Sequence, residues 1–332
     1  MVIQEGETIM AATTFKRSFG ASASTLFLFS MFALVAFFSI QTGSIAAKQD
    51  WREITIPSNV KAQLPGVNDA VVVNGKLILS VWGGQKVIVY EPAKPGLLHG
   101  DRSRIADILS PVDKSLMLTG GGIAVASSNI LLLALNGHIY KVPIDTLKPY
   151  ISADTQVIGF TRFTQTSDLT RFGIGLPMVP NPKDGITVWE LTPKGRQAKF
   201  KLPLPKDFSG VFNISDICAD QNSIYVLLYN DRRVSLFRYS RDSHMLITKT
   251  EVTPYAISII EGMRSRIWLT GNRMLIRCAQ SVYRRDGDKF RTLLTNKKLS
   301  EGIAAYDAAN SLIYVLYDED PENPKLYVHS LD

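Results

Sequence analysis

The sequence predicts an all-β protein: a single six-bladed β-propeller whose last blade is closed by a strand from the N-terminal part of the chain. Three observations predict it. Beyond Lys48, long stretches with apolar residues at helical spacing are nearly absent from the 332-residue chain. Short apolar strands and turns recur instead at the length of a propeller blade. The last of these repeats lacks a strand, and an unassigned strand precedes the first.

Residues 1–47 are predicted to be a secretory signal peptide or an N-terminal membrane anchor. Residues 18–47 carry no charge, and their apolar centre follows Lys16 and Arg17. Mostly small residues close the segment, as in a signal peptide. An uncleaved anchor is the alternative, because the apolar stretch reaches the ~20 residues of a membrane helix. In both cases residues 48–332 form a propeller domain outside the cytoplasm, secreted or periplasmic, since the two basic residues keep the N-terminus inside.

A repeated unit accounts for this domain. Each unit opens with a small or acidic residue, and three short apolar strands follow, separated by turns rich in Gly, Asn and Asp. Four copies are regular, and two weaker copies fall near Asp168 and Ser258. The six units start at Asp69, Gly121, Asp168, Asp216, Ser258 and Glu301. Their starts are 42 to 52 residues apart, which is the length of a four-stranded blade with its turns.

The two ends of the domain complete one another. The segment 51–56 has the pattern of a strand that belongs to no unit, whereas the last unit ends after residues 326–330 without a fourth strand. Pairing the two would close the ring and remove the exposed strand edges. Two alternatives remain open. One is seven blades, if residues 145–163 hold a further strand pair, and the other is a β-sandwich, in which a repeat of this length is unusual.

The segment 300–304, Ser-Glu-Gly-Ile-Ala, stands at the start of the last unit. It resembles the inner strands of six-bladed propellers with the gluconolactonase-like architecture, and the architectural resemblance extends over nearly all of the domain. It implies inner strands that begin around the mouth of a central channel, where gluconolactonase-like propellers hold a metal with Glu, Asn and Asp ligands. It implies no particular activity.

Four acidic residues fall at the starts of the predicted inner strands and are candidate metal ligands. They are Asp69, Asp168, Asp216 and Glu301. If the strands start around one channel mouth, these carboxylates converge there, and Ca²⁺ takes about six to eight oxygen ligands of this kind. The alternative interpretation is local, because short polar side chains also accept hydrogen bonds from backbone N–H groups where strands begin.

A basic segment precedes the last unit. Residues 261–299 contain ten Lys and Arg against three Asp and Glu, an excess equal to the net charge of +7 of the whole chain. A concentrated field of one sign attracts anionic partners, here an acidic protein, an acidic polysaccharide or an anionic membrane surface. Nucleic acid is not expected outside the cytoplasm. The candidate contact residues are Arg264, Arg266, Arg273, Arg277, Arg284 and Arg285. A solvated face with charges alternating across a strand is the alternative.

Composition and motifs favour binding over catalysis. The chain shows no nucleophile elbow and no zinc-protease motif. Its two cysteines, Cys218 and Cys278, are expected on different strand layers as buried thiols. The predicted function is an exported, non-catalytic binding module for an anionic partner. The alternative is a metal-dependent hydrolase of the lactonase type, in which a cation at the channel mouth activates water and Asp69, Asp216 or Glu301 acts as base.

Overall fold

The computed structural model describes a large part of the chain from Trp51 onwards. The described residues are 51–81, 86–91, 102–107, 122–127, 129–135, 138–148, 150–151, 162–175, 178–179, 182–194, 196–206, 212–253, 255–317, 320 and 322–331. The predicted signal peptide or anchor, residues 1–47, lies outside these ranges. Within them, no helix has the length and apolar character needed to span a bilayer.

Six antiparallel sheets make up the described residues, and each sheet is one blade. Strand β1 (Arg52–Ile54) comes first in the chain and belongs to blade 6. Blade 1 contains β2 (Val67–Val73), β3 (Lys76–Val81), β4 (Lys86–Glu91) and β5 (Arg102–Asp107). Blade 2 contains β6 (Gly122–Ser127), β7 (Ile130–Leu135), β8 (His138–Pro143) and β9 (Tyr150–Ile151). Blade 3 contains β10 (Arg162–Gln165), β11 (Arg171–Ile174), β13 (Ile186–Leu191) and β14 (Gln197–Leu202).

Blades 4 to 6 continue in the same order. Blade 4 contains β12 (Met178–Val179), β15 (Phe212–Ala219), β16 (Ser223–Asn230), β17 (Arg233–Ser240) and β18 (Leu246–Glu251). Blade 5 contains β19 (Arg266–Thr270), β20 (Arg273–Cys278), β21 (Ser281–Asp286) and β22 (Lys289–Thr295). Blade 6 contains β23 (Ile303–Asp307), β24 (Leu312–Tyr317), β25 (Lys325–Ser330) and β1. The described helices are the short segments α1 (Ser58–Lys61), α2 (Ile259–Met263) and α3 (Lys297–Glu301), with 3₁₀ turns at Leu64–Gly66 and Pro182–Asp184.

Strand β1 closes the last blade, as predicted from the sequence. It runs antiparallel to β25, with Ile54 opposite Leu326 and Arg52 opposite Val328. Ile54 is buried, and Glu53 on the exposed side lies 3.3 Å from the ammonium group of Lys325. The strand therefore supplies the fourth strand of blade 6 and covers an edge that would otherwise be unpaired.

Every pair of neighbouring blades shares a hydrophobic cluster. Leu79 of blade 1 and Leu316 of blade 6 belong to one such cluster. Corresponding clusters join blades 1 and 2, 2 and 3, 3 and 4, 4 and 5, and 5 and 6. A sandwich has one interface between two sheets, whereas six interfaces in sequence describe a ring. The described residues thus form a six-bladed propeller, and neither the sandwich nor a seventh blade is found among them.

The unit starts predicted for blades 3 and 5 are wrong. Asp168 lies in the turn between β10 and β11, so the inner strand of blade 3 begins at Arg162 instead. Ser258 caps α2 rather than starting a strand, because its side chain accepts from the Glu261 N–H and the Glu261 side chain accepts from the Ser258 N–H. The inner strand of blade 5 therefore begins only at Arg266.

Candidate binding site at the mouth of the central channel

One strand of each blade faces a central channel. Residues of β2, β6, β10, β15, β19 and β23 line a cavity of about 350 Å³, which we call the channel cavity. All six strands run in the same direction along it, because each is followed in the chain by the next strand outward in its blade. We call the end at which they begin the mouth and the opposite end the far end.

Asp69 and Asp216 occupy equivalent positions in their strands. Each follows an unpaired residue in a β-bulge, Asn68 in β2 and Ser215 in β15. Each carboxylate accepts a hydrogen bond of 3.0 Å from the backbone N–H of the next residue. A bulge re-aims the side chains beside it, and here both carboxylates line the channel cavity.

Two arginines join these carboxylates in a buried group, the channel charge cluster, made of Asp69, Asp216, Arg162 and Arg266. The Asp69 carboxylate lies 3.9 Å from a guanidinium nitrogen of Arg162 and 3.6 Å from one of Arg266. Arg162 also donates through Nε to the carbonyl oxygen of Ser215, at 3.3 Å. The other oxygen of Asp216 accepts from the backbone N–H of Ile267 in blade 5, at 2.8 Å. The cluster thereby connects blades 1, 3, 4 and 5.

Burial governs the ionisation of this cluster. Burial raises the pKa of Asp216, and the positive charges of Arg266 and Arg162 oppose that rise. Burial also lowers the pKa of Arg162, as does the charge of Arg266, while Asp69 and Asp216 raise it. The opposite charges around Asp216 and Arg162 therefore favour the ionised form of each, against the effect of burial.

A second cavity of about 450 Å³, the mouth cavity, lies at the mouth of the channel. Arg162 and Arg266 line both cavities, so they form the boundary between the two. Arg264 and Arg277 also line the mouth cavity, which brings four guanidinium groups to it. No described residue that lines the mouth cavity is acidic.

Arg277 is structural. It is only 2% exposed and donates to the backbone carbonyl oxygens of Arg264, Leu299 and Gly302, the last at 2.7 Å. Burial, with a smaller effect from the charge of Arg266, lowers its pKa to about 9, so it remains cationic at neutral pH. Arg264, which is half-buried, donates to the carbonyl oxygen of Glu301. Both contacts hold α3 beside blade 5.

The six arginines predicted to bind an anionic partner do not form one surface. Arg264, Arg266 and Arg277 lie at the mouth. Arg273, Arg284 and Arg285 lie toward the far end, because Arg273 follows the turn after β19 and the other two stand near the end of β21. Arg285 lies over the ring of Tyr225, 5.8 Å from its centroid, and 3.8 Å from Asp288. Since Arg277 is wholly buried, it cannot belong to a surface that a large partner contacts.

The four predicted metal ligands do not converge either. Only Asp69 and Asp216 come together. Asp168 lies in the turn after β10, with its carboxylate 2.8 Å from the guanidinium group of Arg241. Burial raises the pKa of Asp168, but hydrogen bonds from Thr166 and Arg241 outweigh that effect and lower the pKa to about 2. Glu301 is exposed at the end of α3, 3.7 Å from Lys297.

This donor set does not fit Ca²⁺. Within the described part of the chain, no three His, Cys, Asp or Glu side chains are grouped so that they could hold a metal. A cation at Asp69 would also meet the two guanidinium groups that already lie beside that carboxylate. Ca²⁺ takes about six to eight oxygen ligands, and the two carboxylates of this cluster supply too few of them.

Arg162 is the site residue that the sequence did not reveal. It begins β10, whereas the repeat in the sequence placed the start of this unit at Asp168, in the turn after that strand. The helix α2 also went unrecognised, although the spacing of Ser258 and Glu261 is the sequence signature of a capping box.

Comparison with known proteins supports the architecture. The sequence matches no protein-family profile and no curated protein. Among solved structures, a luciferin-regenerating enzyme is similar with a TM-score of 0.53 and 11% identity, over 85% of this chain and 95% of that one. A gluconolactonase from Xanthomonas campestris gives 0.51 and 12%, over 85% and 96%. A PQQ-bound aldose sugar dehydrogenase from Streptomyces coelicolor gives 0.51 and 10%, over 84% and 96%.

These similarities define the class of protein and no more. The chain is a six-bladed β-propeller with the architecture that gluconolactonase-like and other propeller proteins share. At 10 to 12% identity the likeness concerns the fold alone.

Proposed function

We propose that this protein is an exported, non-catalytic binding module that takes an anionic group into the mouth cavity. The observation that carries the proposal is that four arginines, Arg277 among them in a structural role, and no acid are found among the described residues that line this cavity. Next to these arginines lie the two carboxylates of the channel charge cluster, on the channel side, and Glu261 of α2, whose charge acts on Arg277. A net positive cavity of this kind favours an anion.

Arg264 and Arg266 are the residues best suited to contact that anion. Both line the mouth cavity and neither is fully buried, in contrast to Arg277. Arg266 donates through Nη1 to the carbonyl oxygens of Ser265, at 3.0 Å, and Met263, at 3.4 Å, and its Nη2 lies 3.6 Å from Asp69. A guanidinium group has five N–H donors, so donor capacity remains for a ligand. A guanidinium group binds carboxylate, sulfate or phosphate through two parallel hydrogen bonds. A cavity of about 450 Å³ admits a small anion, or one acidic group of a polysaccharide or protein.

A binding role is favoured over catalysis because the two channel carboxylates are already engaged. Asp69 and Asp216 accept hydrogen bonds from backbone N–H groups, and both lie beside arginines. These contacts occupy oxygens through which a general base would have to reach the proton of a substrate.

The test is calorimetric titration of the purified protein with sulfate and with acetate at low ionic strength, together with retention on heparin. Arg264→Gln is expected to weaken binding about tenfold, the loss typical of a hydrogen bond to a charged group. Arg284→Gln is the matched control, because it removes the same charge from the same blade toward the far end. Added salt is expected to weaken binding.

Two results would overturn the proposal. One is the absence of binding of any of the three probes at low ionic strength. The other is equal affinity of wild type, Arg264→Gln and Arg284→Gln when their unfolding temperatures agree.

A further inference from the structure

The helix α2 presents large apolar side chains to solvent at the rim of the mouth cavity. Ile259 is 52% exposed, Ile260 is 59% exposed and Met263 is 43% exposed. Ile260 and Met263 line the cavity itself. Three of the five residues of this helix are therefore large, apolar and exposed to water. A bound ligand would cover this apolar surface.

The fold imposes this exposure. The capping box of Ser258 and Glu261 fixes where α2 begins, and Ser265 donates through its hydroxyl to the Glu261 carbonyl oxygen at its end, at 3.0 Å. Gly262 faces inward against the ring of Tyr229, so closely that a Cβ at this position would lie 2.2 Å from a ring carbon. A rotation of α2 that buried Ile259 or Ile260 would place a larger side chain against Tyr229, where a single Cβ already does not fit.

Further apolar residues line the mouth cavity, next to the polar Asn68. Val67 of blade 1 and Ile303 and Ala304 of blade 6 line it, while Arg162 and Arg266 lie at its boundary with the channel. The mouth cavity therefore combines an apolar rim with a cationic floor. This arrangement matches a molecule that carries one anionic group and an apolar portion.

From this arrangement we infer that the ligand is a small amphiphilic anion, whose acidic group contacts Arg264 and Arg266 and whose apolar portion lies against Ile260 and Met263. The inference rests on the proposed function, since it names the class of anion that the same site takes. The arginines of the floor bind the acidic group through charge-assisted hydrogen bonds. Covering the exposed apolar side chains of the rim adds to the free energy of binding.

The test is a series of straight-chain carboxylates, butanoate, hexanoate and octanoate, titrated calorimetrically against the purified protein, with octanol as the uncharged comparison. Each added methylene is expected to raise affinity about two- to fourfold, up to the value for complete burial of a CH₂ group. Ile260→Ser and Met263→Ser are expected to flatten this dependence on chain length. Arg264→Gln is expected to weaken all three carboxylates by the same factor.

Ile247→Ser is the matched control, because Ile247 is an exposed isoleucine, 47% accessible, on the outer strand β18 of blade 4. It is expected to leave the chain-length dependence unchanged. Binding to vesicles that contain phosphatidylglycerol is measured as well, to test whether the apolar rim contacts a membrane surface instead.

The outcomes separate this inference from the proposed function. Equal affinity for butanoate and octanoate would overturn the inference and leave anion binding intact. Octanol bound as tightly as octanoate, or no carboxylate bound at all, would also overturn the inference, and the titration with sulfate and the retention on heparin would then decide the proposed function. Binding to the vesicles without binding to free octanoate would overturn the inference in favour of a membrane surface.

Discussion

Arg266 and Arg277 stand directly opposite each other on the first two strands of blade 5, yet they serve different parts of the molecule. Arg266 extends to Asp69 of blade 1 at the floor of the mouth cavity. Arg277 is enclosed and donates to three carbonyl oxygens of the surrounding segments. Two like charges on facing positions repel one another, and this pair is accommodated because each guanidinium group has its own acceptors.

Arg277→Ala is expected to destabilise the protein by about 3 kcal/mol or more, because it leaves a cavity and removes the donors of three carbonyl groups. Chemical denaturation with a constant m-value measures the loss. Arg284→Ala on the next strand is expected to change stability by less than about 0.5 kcal/mol. A loss for Arg277→Ala as small as that of the control would contradict a structural role.

His329 is expected to make the closure of blade 6 sensitive to acid. Its ring is buried, stacks on Trp51 with 4.9 Å between centroids, and has an Nδ1 without a hydrogen-bond partner among the described residues. Burial lowers its pKa below the ordinary 6.5. Since the folded state disfavours the charged ring, its contribution to stability is complete above pH 6.5 and declines as the pH falls below that value.

The measurement is the unfolding temperature of wild type and His329→Gln between about pH 8 and pH 5. Wild type is expected to lose more stability on acidification than the variant, because glutamine does not titrate. Parallel curves for the two proteins would show that another group carries the acid sensitivity.

Ile54→Ala tests the closure of the ring. Ile54 lies within the cluster that joins blades 1 and 6, so its truncation is expected to cost about 2 to 4 kcal/mol. The neighbouring change Glu53→Gln removes only an exposed ion pair and is expected to cost less than about 1 kcal/mol. Thermal and denaturant unfolding measure both, and equal losses would mean that β1 contributes little to the core.

The two cysteines are expected to be inert in the folded protein. Cys218 and Cys278 are free and buried, as the sequence predicted, and burial raises the pKa of each thiol to about 12. The thiolate is the reactive form, so a disulfide-exchange reagent is expected to modify them only after unfolding. Rapid modification of either thiol in native protein would require an opening of the channel wall or of blade 5.

The sequence predicted the features that repeat and missed those that depend on long-range contacts. The equivalence of Asp69 and Asp216 was visible in the repeat, and both residues follow a bulge in the structure. The pairing of Arg266 with Asp69 was not visible, because nearly two hundred residues separate them and no local pattern connects them. The metal interpretation followed from the acids at the predicted strand starts and from the architectural resemblance, and neither indicated the two arginines that lie beside Asp69.

Gly302 explains why the segment 300–304, which resembles the inner strands of other propellers, contains a glycine. A Cβ at this position would lie 2.4 Å from a side-chain carbon of Val315 and 2.7 Å from the Lys298 carbonyl oxygen. The connection between α3 and β23 therefore requires glycine at this position, so the glycine in the pattern Glu-Gly-Ile-Ala has a steric cause. Glu301 itself lies at the end of α3, 3.7 Å from Lys297, and lines neither the channel cavity nor the mouth cavity.

The pairing of β1 with β25 also bears on how the chain acquires its structure. Lys325 and Glu53, which meet across this pair, are 272 residues apart in the sequence. During synthesis, all of blade 1 leaves the ribosome long before blade 6 does. The apolar side chains of blade 1 that pack against blade 6, such as Leu79, therefore remain exposed until β25 has been synthesised. Bringing such distant segments together is slow. The nascent chain is consequently most prone to misassociation in this interval, and factors that shield blade 1 should raise the yield of native protein.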